Sequence, residues 1–328
     1  MSNPLAENLL SRNREIQEGK KSKIVTGLVV QGGGMRGIYS MAALMALEEC
    51  GLGNAFDHVF GSSAGAVNAA YMLAQQAAIA VTVYLDDISN KNFVNFFRLN
   101  KIVDIDFLVD GVLKRHKALD VNKVIRSKSM LHIILTDYET GEPVVLTNRD
   151  NNFDLMEVIR ATAAMPILYN KVVQVNGKGY IDGGLRDAVP LRRAIEQGCT
   201  DIIVILTREP GFRRKAPNLF MRLIETPFLR HHPKGTKQLV LSEDKQFNST
   251  MDIILDPSLA GFDGRLAVVH PSDMSRMVSR TTNDRSKLLA CALMARNDTR
   301  AILGLPPLHD NPFTDTKTSY GRDAANTA

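Results

Sequence analysis

Ile24-Val25-Thr26-Gly27-Leu28-Val29-Val30-Gln31-Gly32-Gly33-Gly34-Met35-Arg36-Gly37 changes character at its midpoint. The apolar, β-branched first half reads as a buried parallel strand. The glycines that follow turn the chain, and residues 41–49, rich in helix formers, make a helix stopped at Gly51. The pattern then repeats. His58-Val59-Phe60 reads as a short strand, Gly61-Ser62-Ser63-Ala64-Gly65 as a tight turn, and residues 66–76 as a second helix. Strand, glycine turn, helix, strand, turn, helix is a βαβα unit with a right-handed crossover.

Downstream, residues 130–136 and 143–147 flank Tyr138-Glu139-Thr140-Gly141 as a hairpin. Residues 171–175 and 180–181 flank Asn176-Gly177, a strong short-range hairpin signal. Residues 154–164 read as a helix ended by Pro166, and 191–197 as a short helix stopped by Gly198. Residues 201–206 form another continuous apolar strand. The alternation over 24–207 predicts a three-layer α/β/α domain with a mostly parallel central sheet. Residues 1–23, polar apart from Leu5, Leu9 and Leu10, read as a flexible or loosely docked arm. Residues 208–328 read as a helical and irregular C-terminal extension. Within it 270–303 carries one or two helices, and the tail from Pro306 is loop-like.

Composition narrows the class. The 328 residues hold 40 Lys plus Arg against 35 Asp plus Glu, a formal net charge of +5, and 45% are hydrophobic, which excludes a fibrous or wholly disordered chain. The excess of positive charge is too small to demand a nucleic-acid partner, and none is expected. Cys50, Cys199 and Cys291 are odd in number and far apart, which argues against a disulfide framework or a zinc site and favours a reducing compartment. Residues 1–23 lack the apolar core of a secretory signal. The longest apolar stretch, residues 69–85, is broken by Gln75 and Gln76, short of the roughly 18 uninterrupted residues of a spanning helix. A cytoplasmic protein is expected.

Two glycine motifs carry the chemistry. Gly32-x-Gly34-x-x-Gly37 follows a strand and opens a helix, the setting of a dinucleotide fingerprint. That reading needs an acid at the tip of the second strand, and Asp57 stands before this strand, at the wrong end. What stands at the tip is Gly-x-Ser-x-Gly, the pattern of a nucleophile elbow centred on Ser63 rather than Ser62. Alone, such a pattern arises by chance in roughly one chain in ten of this length; its place between strand and helix gives it weight. The glycine run would then present the amides of Gly33 and Gly34 beside Ser63 as oxyanion donors. A nucleophilic serine needs a base, and none of the seven histidines stands in a catalytic setting. Asp182, at the end of a strand and followed by Gly183 and Gly184, is the alternative.

Gly-Gly-Gly-x-Arg-Gly, then Gly-x-Ser-x-Gly, then Asp-Gly-Gly resembles the patatin-like phospholipase family of lipid acyl hydrolases, over residues 24–207. The segment Ala161-Thr162-Ala163-Ala164-Met165-Pro166 resembles the family's small-residue stretch ending in proline. The resemblance implies a serine–aspartate dyad of Ser63 and Asp182, cutting lipid acyl esters through an acyl-enzyme without metal or cofactor. It implies an oxyanion loop at Gly32, Gly33, Gly34, Met35, Arg36 and Gly37, an elbow of Gly61, Ser62, Ala64 and Gly65 around the nucleophile, and Gly183 and Gly184 beside the aspartate. Where the family often has Asn before the next proline, Asp187 stands here.

Two rival classes remain: a catalytically weak lipid-binding or regulatory protein of the same fold and, more remotely, a dinucleotide-binding oxidoreductase. Arg36 has two readings, a contact to an anionic substrate or an ordinary surface arginine. Residues 208–237, rich in Arg and Lys interleaved with Leu and Phe, read either as a peripheral contact with the inner, anionic face of a membrane or as a solvated face.

Overall fold

The β-branched run forms β1 (Thr26–Val30), the middle strand of the parallel part of the sheet. In this computed structural model the described residues are 8–9, 12, 24–98, 101–166, 168–215, 232–240 and 243–313. A 3₁₀ turn, Gly34–Arg36, leads directly into α1 (Gly37–Glu49), so that helix begins earlier than the helix-former pattern predicts. Then come β2 (His58–Ser62), α2 (Ala64–Leu73) and α3 (Ala77–Thr82). Two π-helical stretches follow, Val83–Asp87 and Phe107–His116, then α4 (Val121–Arg126). The remaining elements up to residue 207 are β3 (Met130–Asp137), β4 (Pro143–Thr147), α5 (Leu155–Thr162), β5 (Val173–Val175), β6 (Lys178–Asp182), α6 (Leu191–Glu196) and β7 (Asp201–Ile205).

Both hairpins form as their turns dictate. Asn176 and Gly177 take φ of 50° and 79°, the left-handed pair that a tight two-residue hairpin requires. Asp154 caps α5 by accepting from the amides of Met156 and Glu157.

Residues 208–328, set apart in sequence as an extension, contribute α7 (Lys234–Val240), α8 (Glu243–Leu255), β8 (Arg265–Val269) and α9 (Arg285–Ile302). β8 lies parallel to β7 and completes an eight-stranded sheet in which β3, β2, β1, β7 and β8 are mutually parallel. The α9 helix occupies only the second half of the 270–303 stretch read as helical; residues 277–284 carry no helix.

The three layers follow from strand alternation. Leu28, Val30, Ile203 and Ile205 point to one face, where they meet α1, α2, α3 and α9; Val29, Ile202 and Val204 point to the other, against Leu191 and Ala194 of α6 and Phe247 and Met251 of α8. Among the described residues no helix is long and apolar enough to cross a membrane.

The arm expected at 1–23 lies almost wholly outside the described residues, but Leu9 and Arg12 are described and buried. The Arg12 guanidinium donates to the carbonyls of Ile24 and Ala55, to Thr26 Oγ1 and to Asp57 Oδ2, the last at 2.5 Å. It thereby ties the N-terminal ends of β1 and β2 together. Arg12→Ala leaves Asp57, which is partly solvated, without its cation, and is expected to cost about 2–3 kcal/mol. Chemical denaturation should show this as a lower midpoint at unchanged slope.

Candidate active site

The site is built where two strands meet head on. Residues 130–134 of β3 pair with β2 in parallel, and residues 135–137 pair with β6 in antiparallel fashion. Because β4 pairs with residues 132–136, β2 and β6 must share the opposite edge of β3. They run toward each other along it, with Ser62 opposite Ile134 and Asp182 opposite Leu135. Ser63 and Asp182, the next residue of one strand and the last of the other, come together for this reason. Ser63 Oγ donates to Asp182 Oδ2 at 2.8 Å.

Ser63 has φ 52° and ψ −133°, a strained conformation for a residue with a Cβ, and it immediately precedes α2. Its amide donates to Thr162 Oγ1 at 2.9 Å, and that hydroxyl in turn donates to the Ile134 carbonyl at 2.6 Å. Thr162 therefore locks the elbow to β3. It stands in the small-residue segment of the sequence, yet no pattern there marked it as a positioning residue. A Cβ on Gly65 would lie 2.2 Å from the Val30 carbonyl oxygen, and one on Gly32 would lie 2.5 Å from the Ser62 carbonyl oxygen, so only glycine lets the two loops touch.

Asp182 is 1% exposed. Its Oδ1 accepts from the Gly184 amide at 2.7 Å, which orients Oδ2 toward the serine. Gly183 is required by proximity: a Cβ there would lie 1.9 Å from the Ile134 oxygen.

One cavity gathers Ser62, Ser63, Ala64, Asp182 and Gly184 with Gly32, Gly33, Gly34 and Arg36. Its apolar wall comes from residues such as Val67, Val83, Phe93, Ile105, Leu108 and Met165. The expected loop residues divide. Among the described residues the amides of Gly33 and Gly34 have no hydrogen-bond partner. The Met35 amide is held by the Arg280 carbonyl at 3.0 Å, and the Arg36 and Gly37 amides are taken by carbonyls within the turn. The Met35 side chain is buried in the core, and the Gly37 carbonyl accepts from Asn68 of α2. Gly61 and Gly65 pack the strand against the helix rather than facing the cavity. Ser62 Oγ is buried with no partner among the described residues.

Arg36 is half-buried on the cavity wall; burial first, then Arg280, Arg208 and Arg214, push its guanidinium down to about 9, still protonated at neutral pH. Arg214 and Arg280 line the same cavity, and the sequence reading missed both. His58 and His132 lie together at the far end of the sheet, Nδ1 to Nε2 3.0 Å, where burial drives His132 down to about 4. Among the described residues no group of three His, Cys, Asp or Glu could hold a metal ion. Of the basic segment 208–237, residues 216–231 lie outside the described residues.

A sequence model described as patatin-like phospholipase matches residues 28–195. An uncharacterised protein of Escherichia coli K12, YjjU, is 30% identical over 203 residues; the match covers 60% of this chain and 55% of that protein. The chain thus spans about half the length of the curated relative it matches. The crystal structure of VipD from Legionella pneumophila superposes with a TM-score of 0.50 at 14% identity, covering 86% of this chain and 67% of that one.

The loop after Asp182 generates a pH test. Asp187 is 7% exposed, and its amide donates to the Gly183 carbonyl. Burial pushes its carboxyl up to about 6, and Arg193, whose Nε is 3.5 Å away, pulls the other way without prevailing. A raised acid binds its proton more tightly in the folded state, so it favours folding below its ordinary titration range, and that contribution is lost as pH rises to about 6. Asp187→Asn removes the buried charge. It is expected to exceed the wild type in stability by up to about 2–3 kcal/mol at pH 7–8, the gain vanishing near pH 4, in denaturation curves taken across that range.

Proposed function

The chain belongs to the patatin-like phospholipase family, a family of lipid hydrolases, and on that premise we propose that it cleaves acyl ester bonds of lipids with a Ser63–Asp182 dyad. The observation that carries the proposal is the 2.8 Å hydrogen bond from a strained serine hydroxyl to a buried, amide-oriented carboxylate inside an apolar cavity. Ser63 Oγ attacks the ester carbonyl carbon while Asp182 Oδ2 takes the hydroxyl proton. The negative charge on the carbonyl oxygen is met by the amides of Gly33 and Gly34 and by the N-terminal end of α2. Collapse expels the alcohol, which leaves with the proton from Asp182, and an acyl group remains on Ser63. Water then attacks this acyl-enzyme, giving its proton to Asp182, and the second collapse returns the proton to Ser63 and frees the fatty acid.

An aspartate is an intrinsically weak base, with an ordinary pKa of about 3.9. The burial of Asp182 and the hydrogen bond that its Oδ2 accepts from the Ser63 hydroxyl support its use here, since the proton has a fixed acceptor already in reach. Cytoplasmic action at the surface of an anionic membrane is part of the same proposal and rests on the cationic residues of the 208–237 segment.

Ser63→Ala and Asp182→Asn should each lower ester hydrolysis by at least about 10³-fold with circular dichroism unchanged. A fluorophosphonate probe should label the wild type and not Ser63→Ala. Retained turnover in Asp182→Asn removes the dyad, and a wild type that neither labels nor hydrolyses is a binding protein. Thr162→Val, which strips the acceptor from the Ser63 amide, should lower kcat by about 10–10²-fold with little change in KM.

A further inference from the structure

Beside the proposed nucleophile stands a group of cations that the ester chemistry does not use. Arg36 reaches the cavity from the turn after β1, Arg214 from the segment after β7, and Arg280 from the loop between β8 and α9. Arg208, just past β7, lies behind them: it acts on Arg36, and Arg280 acts on both. Among the described residues, Arg36, Arg208 and Arg280 form no ion pair and donate no side-chain hydrogen bond. The Nε atoms of Arg36 and Arg208 are buried without an acceptor. The carboxylate in the cavity, Asp182, is engaged with Ser63 and the Gly184 amide.

Like charges held together and buried donors left without acceptors are both unfavourable. A planar guanidinium cluster of this kind is relieved by one ligand class above others, a phosphate, whose oxygens accept paired N–H donors from several arginines at once. Its position decides where that phosphate belongs. In the sheet, β1, β7 and β8 lie on one side of β2 and β3 lies on the other, with β6 end to end with β2 along the edge of β3. The arginines come from the first side. Met165 and the 103–108 stretch of the apolar wall come from chain that packs beside β3 and β6. Ser63 shares one cavity with an apolar wall suited to an acyl chain and with these cations.

We propose that Arg36, Arg214 and Arg280, backed by Arg208, form an anion subsite that takes the phosphate of the substrate's headgroup, so that the enzyme selects acyl esters with net-negative headgroups over zwitterionic or uncharged ones. The proposal rests on the hydrolase reading above and deepens it. The lowered pKa of Arg36 agrees with it, since an unpaired cation among cations is a site waiting for an anion. A choline or ethanolamine headgroup brings its own cation into the same corner and loses part of the gain. A phosphomonoester, with more charge and no second substituent, should gain most.

The test uses the full chain and one acyl chain on four headgroups: lysophosphatidate, lysophosphatidylglycerol, lysophosphatidylcholine and monoacylglycerol, presented in identical neutral micelles. The wild type is expected to prefer the first two in kcat/KM by about ten- to a hundredfold, mostly through KM. In Arg280→Ala that preference should collapse toward unity, and Arg280→Lys should restore part of it. A flat preference in the wild type, or one that survives Arg280→Ala, overturns the subsite. A second arm needs no turnover. Glycerol 3-phosphate and inorganic phosphate are titrated calorimetrically into Ser63→Ala with and without Arg280→Ala. Binding of glycerol 3-phosphate that Arg280→Ala abolishes supports the headgroup assignment, and equal binding of inorganic phosphate reassigns the subsite to free phosphate and overturns the headgroup selection. If no ester in the panel is cleaved, the hydrolase reading fails while this binding arm still decides the subsite.

Discussion

Everything at the centre of this protein depends on one edge of β3. A strand edge offers a row of backbone groups at fixed spacing, and here two partners share it end to end instead of one partner occupying it throughout. The head-on arrangement forces the C-terminal residues of β2 and β6 into the same few ångströms. Crowding at that junction is why glycine stands at position 183, where a methyl group would overlap the Ile134 carbonyl, and beside it glycine at 32 and 65 lets the loops after β1 and β2 touch. The Ile134 carbonyl, at the junction itself, is satisfied by the Thr162 hydroxyl, so no buried acceptor is orphaned where the two strands stop.

The strain at Ser63 is held by the same arrangement. A left-handed serine persists only when its surroundings over-determine it. Its amide is bound by Thr162, its hydroxyl by Asp182, and the residues after it are already committed to α2. Asp182 in turn is fixed at three points: its amide on the Ala164 carbonyl, its own carbonyl under the Thr136 hydroxyl, and its carboxylate on the Gly184 amide. In the proposed mechanism a proton acceptor held this firmly needs little reorganisation when charge moves. The cavity around it carries both an apolar wall and a group of arginines, and the pair opens into it.

Much of this was legible from the chain. The apolar run at 24–30, the glycines at 32–37, the Gly-x-Ser-x-Gly turn and the Asn-Gly hairpin are local signals, because each states a conformational need met within a few residues. The strands and turns they mark are present in the structure, and Ser63 and Asp182 line one cavity. The C-terminal strand β8 was missed. Arg265-Leu266-Ala267-Val268-Val269 is a single five-residue run inside a polar region, and only the exposed edge of β7 makes it a strand. Leu9 stood out only as part of a weak apolar turn in a loosely docked arm, and Arg12 gave no signal, since its burial depends on acceptors at Ile24, Thr26, Ala55 and Asp57.

The sequence by itself determined the order of α/β elements, the two turns that must hold glycine, and the residue types able to carry ester chemistry, because backbone conformation and side-chain reactivity are properties of short segments. Tertiary structure alone decided which of those residues meet. The pairing of β2 and β6 on one edge of β3 brings position 63 to position 182, and the folding of β8 onto β7 delivers Arg280 to the glycine loop. Both are consequences of hydrogen-bond register between strands far apart in the chain, and register is a relation between segments that no single segment contains.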